Sequence, residues 1–134
     1  MITKYSYDNV EAMINSIHSN SKLINSMMST TRENDRLISE KMKSYAMTKS
    51  VFSQSQIELY KSYAEHKSDV ETAFNAYSKE IENIGSLKQL ELHKSGEAIN
   101  NIHNIFSKIN TLQIKIMEML CTIIGRANVL IASI

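Results

Sequence analysis

An apolar residue returns every three or four positions along the last third of the chain. The positions of this heptad seam are Leu92, Ser95, Ile99, Ile102, Phe106, Ile109, Gln113, Ile116, Leu120, Ile123, Ala127, Leu130 and Ile134. Eleven of the thirteen positions are apolar, and their mean spacing of about 3.5 residues is typical of an α-helix packed lengthwise against other helices. The seam therefore predicts an all-α fold with long helices, and it says little about chemistry.

Residues that break helices are scarce, because the 134 residues include no proline and three glycines. Long uninterrupted helices are the expected result. A chain of this length is expected to form a single helical domain, 1–134, in which we predict helices over about 9–28, 31–84 and 86–134.

Local capping signals set the start of the second predicted helix. Thr30 and Glu33 form a capping box, in which each side chain would satisfy a backbone amide of the first turn. Ser55 and Glu58 form another, so a break near Ser53–Ser55 is an alternative to a continuous helix. Continuity is favoured, since the same apolar period runs on through this stretch.

Gly85 and Ser86 mark the predicted turn between the second and third helices. Gly85 can take the left-handed conformation that ends a helix, and Ser86 with Gln89 can start the next one. Gly96, preceded by Ser95, is an alternative corner. A turn at Gly85 is preferred because it gives two arms of matched length.

These elements predict a long antiparallel helical hairpin, similar to a coiled coil, with the first helix packed on its base. The base lies at the end that carries the C-terminus, where the third helix is apolar on more than one face. This surface is predicted to close a three-helix core, to assemble with another protein, or both. The residues assigned to it are Ile109, Leu112, Ile116, Met119, Leu120, Ile123, Ile124, Leu130, Ile131 and Ile134.

Towards the tip of the hairpin, around 55–85 and 87–115, the prediction contains an arm of two helices. A second apolar line accompanies the seam in this arm and is expected to contact another chain. Its members are Ile57, Tyr60, Ala64, Phe74 and Ile81. The expected partners are therefore proteins, either further copies of this chain or a helix of a different protein.

Charged residues are balanced and interspersed, with 15 Lys and Arg against 14 Asp and Glu. A nucleic-acid-binding surface needs clustered basic residues, so nucleic acid is not an expected partner. The start of the chain lacks the continuous apolar segment of a Sec signal peptide. The most apolar window, 119–134, contains Arg126 and Asn128 and is shorter than the ~18 apolar residues of a membrane span, so a membrane is not expected either.

The sequence carries no pattern typical of catalysis, metal binding or cofactor binding. The four histidines, His18, His66, His93 and His103, are nowhere three or four residues apart, and none follows a glutamate by three residues. The one cysteine, Cys121, adjoins the seam and is expected to be reduced and buried. We therefore predict no enzyme activity, no cofactor and no metal.

Three features give the chain a resemblance to small helical proteins of bacterial type III secretion systems, namely needle, inner-rod and filament subunits and the accessory proteins or chaperones beside them. The features are the Ser-, Thr- and Asn-rich start from Thr3 to Thr31, the hairpin about Gly85-Ser86, and the apolar end Leu112–Ile134. The resemblance implies a C-terminal helix buried between subunits, a role in virulence, and a location in the bacterial cytoplasm or export by a non-Sec route.

Three hypotheses for function follow. The leading one is a non-enzymatic structural or assembly protein that acts through helix–helix contacts, as a component or exported subunit of a secretion apparatus. The alternative is a small chaperone or adaptor that holds an amphipathic helix of a partner through 57–81. A membrane-active, translocator-like protein is the weakest hypothesis, because Arg126 and Asn128 interrupt the best segment.

Overall fold

A computed structural model of the protein describes the backbone of residues 4–91 and 96–134, and the side chains of residues 11–82 and 103–134. Over the described backbone the protein consists of three α-helices: α1, Lys4–Thr48; α2, Gln54–Glu91; and α3, Gly96–Ser133. The predicted all-α fold is confirmed.

The third helix lies between the other two. Near one end of the molecule the Tyr45 hydroxyl in α1 donates to the Ile134 carbonyl (3.4 Å). The side-chain amide of Gln56 in α2 donates to the Ser133 carbonyl (2.8 Å). Further along, the Gln113 amide in α3 donates to the Ile17 carbonyl (2.9 Å) and the Tyr77 hydroxyl (3.2 Å). The order of these contacts shows that α1 runs parallel to α3 and α2 runs antiparallel to it.

Both outer helices pack closely on α3, but not on each other. Among the described residues, no Cα atom of α1 lies within 8 Å of one in α2. Long side chains bridge the gap instead. The Tyr63 hydroxyl donates to the Asp35 carboxylate (2.7 Å), Lys67 pairs with the same carboxylate (3.0 Å), and the Arg32 guanidinium lies 5.8 Å from the centre of the Phe74 ring.

The heptad seam forms the centre of the core, as predicted. Within the described part of α3, every seam position from 106 to 130 is buried, and the final residue, Ile134, is partly buried. The buried seam residues are Phe106, Ile109, Gln113, Ile116, Leu120, Ile123, Ala127 and Leu130. The partners from α1 and α2 repeat at helical spacing and are chiefly Ile14, Ile17, Ile24, Met28, Ile38, Tyr63, Val70 and Tyr77.

The predicted boundary between a first helix ending at residue 28 and a second beginning at 31 is wrong, because α1 runs through it. The hydroxyls of Thr30 and Thr31 donate to the carbonyls four residues earlier, Ser26 (3.3 Å) and Met27 (3.0 Å). Such bonds let threonine sit inside a helix. Thr31 is also buried, so packing on α3 favours the continuous helix.

The continuous helix predicted across residues 49–53 is also wrong, because α1 ends at Thr48 and α2 begins at Gln54. Lys49 adopts a φ of 55°, and the amides of Lys49 and Ser50 donate to the Ala46 (3.3 Å) and Tyr45 (3.0 Å) carbonyls. This is the bonding pattern of a Schellman motif, which ends a helix.

A capping box then starts α2 at Ser53, close to the alternative break near Ser53–Ser55. The Ser53 hydroxyl accepts from the backbone amide of Gln56 (3.2 Å). The side-chain oxygen of Gln56 accepts from the backbone amide of Ser53 (2.9 Å). The predicted pair of Ser55 with Glu58 is therefore not the cap.

The predicted turn at Gly85 and Ser86 is wrong, because both residues lie inside α2. The connection to α3 falls between Glu91 and Gly96, at residues 92–95, which lie outside the described part of the chain. The helix that follows begins at Gly96, the alternative corner. One glycine inside a helix costs only about 1 kcal/mol relative to alanine, so Gly85 alone does not end α2.

The later turn and the longer first helix change the architecture. At the level of Phe106, α1 lies beside α3 through Met13 and Ile17, so the expected arm of two helices has a third helix along it. The predicted hairpin with a short helix on its base is, over the described side chains, a three-helix bundle along its length.

Candidate protein-interaction site

An apolar cavity of about 290 Å³ opens at the end of the bundle where residues 49–53 connect α1 to α2. We call it the connector cavity. Its lining residues are Met42 from α1, Phe52 from the connector, Gln56, Ile57, Tyr60 and Lys61 from α2, and Leu130 and Ile134 from α3. All three helices therefore contribute to it, and most of the lining side chains are apolar.

The wall of the cavity at the connector is held by aromatic and polar contacts. The rings of Tyr45 and Phe52 stack at 4.5 Å between centroids, with 25° between their planes. The Gln56 amide also donates to the Tyr45 hydroxyl (3.4 Å). Because Tyr45 and Gln56 both bond the last carbonyls of the chain, they satisfy backbone groups that a helix end leaves unpaired and fix the connector against α3.

Large apolar side chains are exposed around this end. Met47 and Val51 retain 85% and 89% of their accessible surface, and Ile57 and Tyr60 are exposed at the cavity itself. We call these four residues the connector patch. Single exposed apolar side chains are common, but a group of them beside an apolar cavity is typical of a binding surface.

The segment that supplies the α1 and α2 parts of this end carries an excess of lysine. Residues 41–61 carry four lysines, Lys41, Lys43, Lys49 and Lys61, and one acidic residue, Glu58, for a net charge of +3. The whole chain has a net charge of +1, so the remaining residues sum to −2. All four lysines are exposed, and within the described part of the chain none forms an ion pair.

A polar cluster bridges α1 and α2 further along the bundle. Burial raises the pKa of the Asp35 carboxyl, but the hydrogen bond from Tyr63 and the ammonium of Lys67 outweigh it, so the net pKa lies below the usual 3.8. Burial and the bond to Asp35 raise the pKa of the Tyr63 hydroxyl. Asn34 Nδ2 and His66 Nε2 are buried without a hydrogen-bond partner among the described atoms. These contacts join helices.

The C-terminal residues predicted as a core or assembly surface lie in the core of the chain itself. Five are buried: Ile109, Ile116, Leu120, Ile123 and Leu130. The other five are partly buried against them: Leu112, Met119, Ile124, Ile131 and Ile134. Within residues 103–134, the large apolar side chains that remain exposed on α3 are Ile114 and Val129.

The residues predicted as an interaction line on the second helix divide into two groups. Ile57 and Tyr60 are exposed and line the connector cavity. Ala64, Phe74 and Ile81 are half-buried, and the last two pack against the core. The sequence reasoning missed that Met42 and Phe52 belong to the same site, because it placed both on one continuous helix.

Two further expectations concern Cys121 and the apolar end. Cys121 is exposed, so the expected burial is wrong: one residue past Leu120 is a rotation of about 100° away from the core. The segment His103–Ser133 is long and apolar enough, by length and composition, to cross a membrane, with 28% of its most apolar window buried in the bundle. This is weak evidence, since the core helix of a soluble protein passes the same test.

Within the described residues, no group of three or more His, Cys, Asp or Glu side chains is placed to hold a metal ion. Comparison of the chain with protein-family models, with curated proteins and with solved structures found no match.

Proposed function

We propose that the protein is a non-enzymatic interaction module that binds another polypeptide at the connector end of the bundle. The observation that carries the proposal is the connector cavity, an apolar depression lined in part by the exposed Ile57 and Tyr60 of the connector patch. Binding energy in protein interfaces is concentrated where large apolar or aromatic side chains enter such pockets. This corresponds to the chaperone or adaptor hypothesis, with the site at residues 42–61 and the end of α3.

The wall contacts support a preformed site. The Tyr45–Phe52 stack and the hydrogen bonds of Gln56 hold the connector in place without a partner. A site that is already ordered loses less conformational entropy on binding.

Assembly into oligomers is the second candidate. One observation favours it: Ile114 and Val129 are exposed on α3, while the other large apolar side chains of α3 from residue 103 onward are buried or partly buried. Size-exclusion chromatography with light scattering separates the two candidates. Open-ended species that grow with concentration would favour assembly, and a single defined mass would favour the interaction module.

A place in a type III secretion apparatus remains a proposal that rests on resemblance. One of the three features behind the resemblance was a hairpin turn at Gly85-Ser86, and both residues lie inside α2. The proposal of a binding site at the connector does not depend on the resemblance, because it rests on the cavity and the exposed side chains.

The direct test is affinity purification from the source organism with quantitative mass spectrometry. The baits are the wild-type protein, an Ile57→Ser variant and a Leu23→Ser variant, since Leu23 is an exposed apolar residue of α1 outside the cavity lining. We expect at least one protein to be recovered with the wild type and Leu23→Ser but lost with Ile57→Ser. Partners recovered equally with all three folded baits would contradict the proposed site.

A further inference from the structure

We propose that the polypeptide bound at the connector end is an acidic segment that inserts a large apolar side chain into the connector cavity. This inference rests on the proposed function and specifies the chemistry of the partner. It combines two observations at one end of the bundle: an apolar cavity and an excess of unpaired lysines.

The charge distribution selects an acidic partner. Residues 41–61, which supply the α1, connector and α2 parts of this end, carry a net charge of +3, while the rest of the chain has −2. Lys61 lines the cavity itself, and Lys49 lies in the connector between Met47 and Val51. Aspartate or glutamate residues flanking an apolar anchor would meet Lys61 at the cavity, and Lys49 lies in the connector that also supplies Phe52 to the lining. Complementary charges of this kind speed association and exclude partners of the same sign.

The size of the cavity selects side chains as its occupant. A volume of about 290 Å³ lies at the lower limit of small-molecule sites, which are typically 300–1,000 Å³. It accommodates one or two large side chains, and a whole helix does not fit inside. The helix or extended segment that carries the anchor would lie across the opening, against the exposed Ile57 and Tyr60.

A second copy of the chain is a poor occupant. Two copies meeting through this end would bring together two segments 41–61, each with a net charge of +3. Like charges across an interface oppose association. A membrane with anionic lipids would also attract the lysines and the protruding apolar residues. A lipid surface would not fill a depression whose lining includes Leu130 and Ile134 of α3, and we therefore favour a protein segment.

The experiment is selection of a yeast-displayed library of random twelve-residue peptides against the full-length protein. The probes are the wild type, an Ile57→Ser variant, and a Lys49→Glu/Lys61→Glu double variant. Leu23→Ser and a Lys22→Glu/Lys79→Glu double variant serve as matched controls, because these residues are exposed and lie outside 41–61. Circular dichroism establishes that each variant is folded.

The expected peptides carry net negative charge and at least one large apolar residue. Their affinity should fall at least about tenfold in the Ile57→Ser and Lys49→Glu/Lys61→Glu proteins and change less than about twofold in the controls. Added salt should weaken binding to the wild type, because the attraction involves exposed charges.

Other outcomes overturn the inference in distinguishable ways. Neutral or basic peptides that still depend on Ile57 would refute the acidic partner and leave the proposed function standing. Failure to enrich any peptide that depends on Ile57 would refute both. Flotation with phosphatidylglycerol vesicles that is lost in the Lys49→Glu/Lys61→Glu protein, without peptide binding, would assign this end to membranes, and dimerisation lost in the same variant would assign it to self-association.

Discussion

Gln113 is the most deeply buried polar side chain among the described residues, with none of its surface exposed. It occupies a position of the heptad seam and joins all three helices. Its amide donates to the Ile17 carbonyl (2.9 Å) and the Tyr77 hydroxyl (3.2 Å), and its oxygen accepts from the Asn20 amide (3.3 Å). We expect this polar layer to act as one energetic unit, which a double-mutant cycle can measure.

The magnitude follows from the contacts. Each hydrogen bond contributes about 1 kcal/mol net, so Gln113→Leu removes about 3 kcal/mol and leaves the Tyr77 hydroxyl buried without this partner. The larger apolar area of leucine returns about 1 kcal/mol. The expected net loss in the free energy of unfolding is about 2 kcal/mol, and Tyr77→Phe alone should lose about 1 kcal/mol.

The double variant should be less destabilised than the sum of the two singles. With both partners apolar, no orphaned hydroxyl remains, so we expect a loss of about 2 kcal/mol and a coupling energy of about 1 kcal/mol. Urea denaturation followed by far-ultraviolet circular dichroism measures all four proteins. Additive effects, or a Gln113→Leu protein more stable than the wild type, would refute the account of the polar layer.

Three further predictions test the fold. Ser53→Ala should lower the free energy of unfolding by about 1 kcal/mol in urea denaturation through loss of the α2 cap, and Ser55→Ala should change it by a few tenths at most. The pKa of Asp35 is lowered in the folded protein, so its contribution is present above the usual value of 3.8 and is lost as pH falls below it. The free energy of unfolding should therefore fall less steeply with decreasing pH in Asp35→Asn than in the wild type. The same slope in both proteins would count against the Tyr63 and Lys67 contacts. A chain ending at Glu118 loses the buried Leu120, Ile123 and Leu130, each of which contributes about 2 kcal/mol to the free energy of unfolding. Their sum is comparable to the whole stability of a small domain. Its thermal melt should lose cooperativity, and an unchanged melt and mass would contradict the bundle.

The sequence predicted the core of α3 well, because burial follows directly from an apolar period. Every seam position from Phe106 to Leu130 that the pattern named is buried. The exposure of Cys121 illustrates the limit of this reasoning, since adjacency in sequence to a seam residue does not place a side chain on the seam.

The connections were predicted poorly, because their signals are weak or ambiguous in a chain with few helix breakers. Thr30 and Glu33 match a capping box, yet threonine can bond backward within a helix, and packing decides between the two. The real end of α1 uses Lys49 in the left-handed conformation, where glycine is the usual signal. Gly85 gives that signal and lies inside a helix.

The apolar α2 residues of the candidate site could be predicted and those of α1 and the connector could not, because the connection between α1 and α2 has a weak sequence signal. Ile57 and Tyr60 could be identified from their apolar spacing on α2. The contribution of Met42 and Phe52 depends on a chain reversal at residues 49–53, which the apolar pattern does not mark. A cavity also depends on the distance between helices, and no single helix pattern encodes that distance.

The arrangement of the helices explains why the cavity lies at the connector. Since α3 fills the space between α1 and α2, the two outer helices meet only through long side chains in the described region. Along the middle of the bundle, the Asp35 cluster and the Arg32–Phe74 contact bridge this gap. Near the connector the Gln56–Tyr45 hydrogen bond (3.4 Å) joins α1 to α2 at one side, and the apolar side chains of Met42, Ile57 and Leu130 line the opening that remains beside it. The same separation that leaves α1 and α2 weakly joined therefore provides the apolar opening that we assign to a partner.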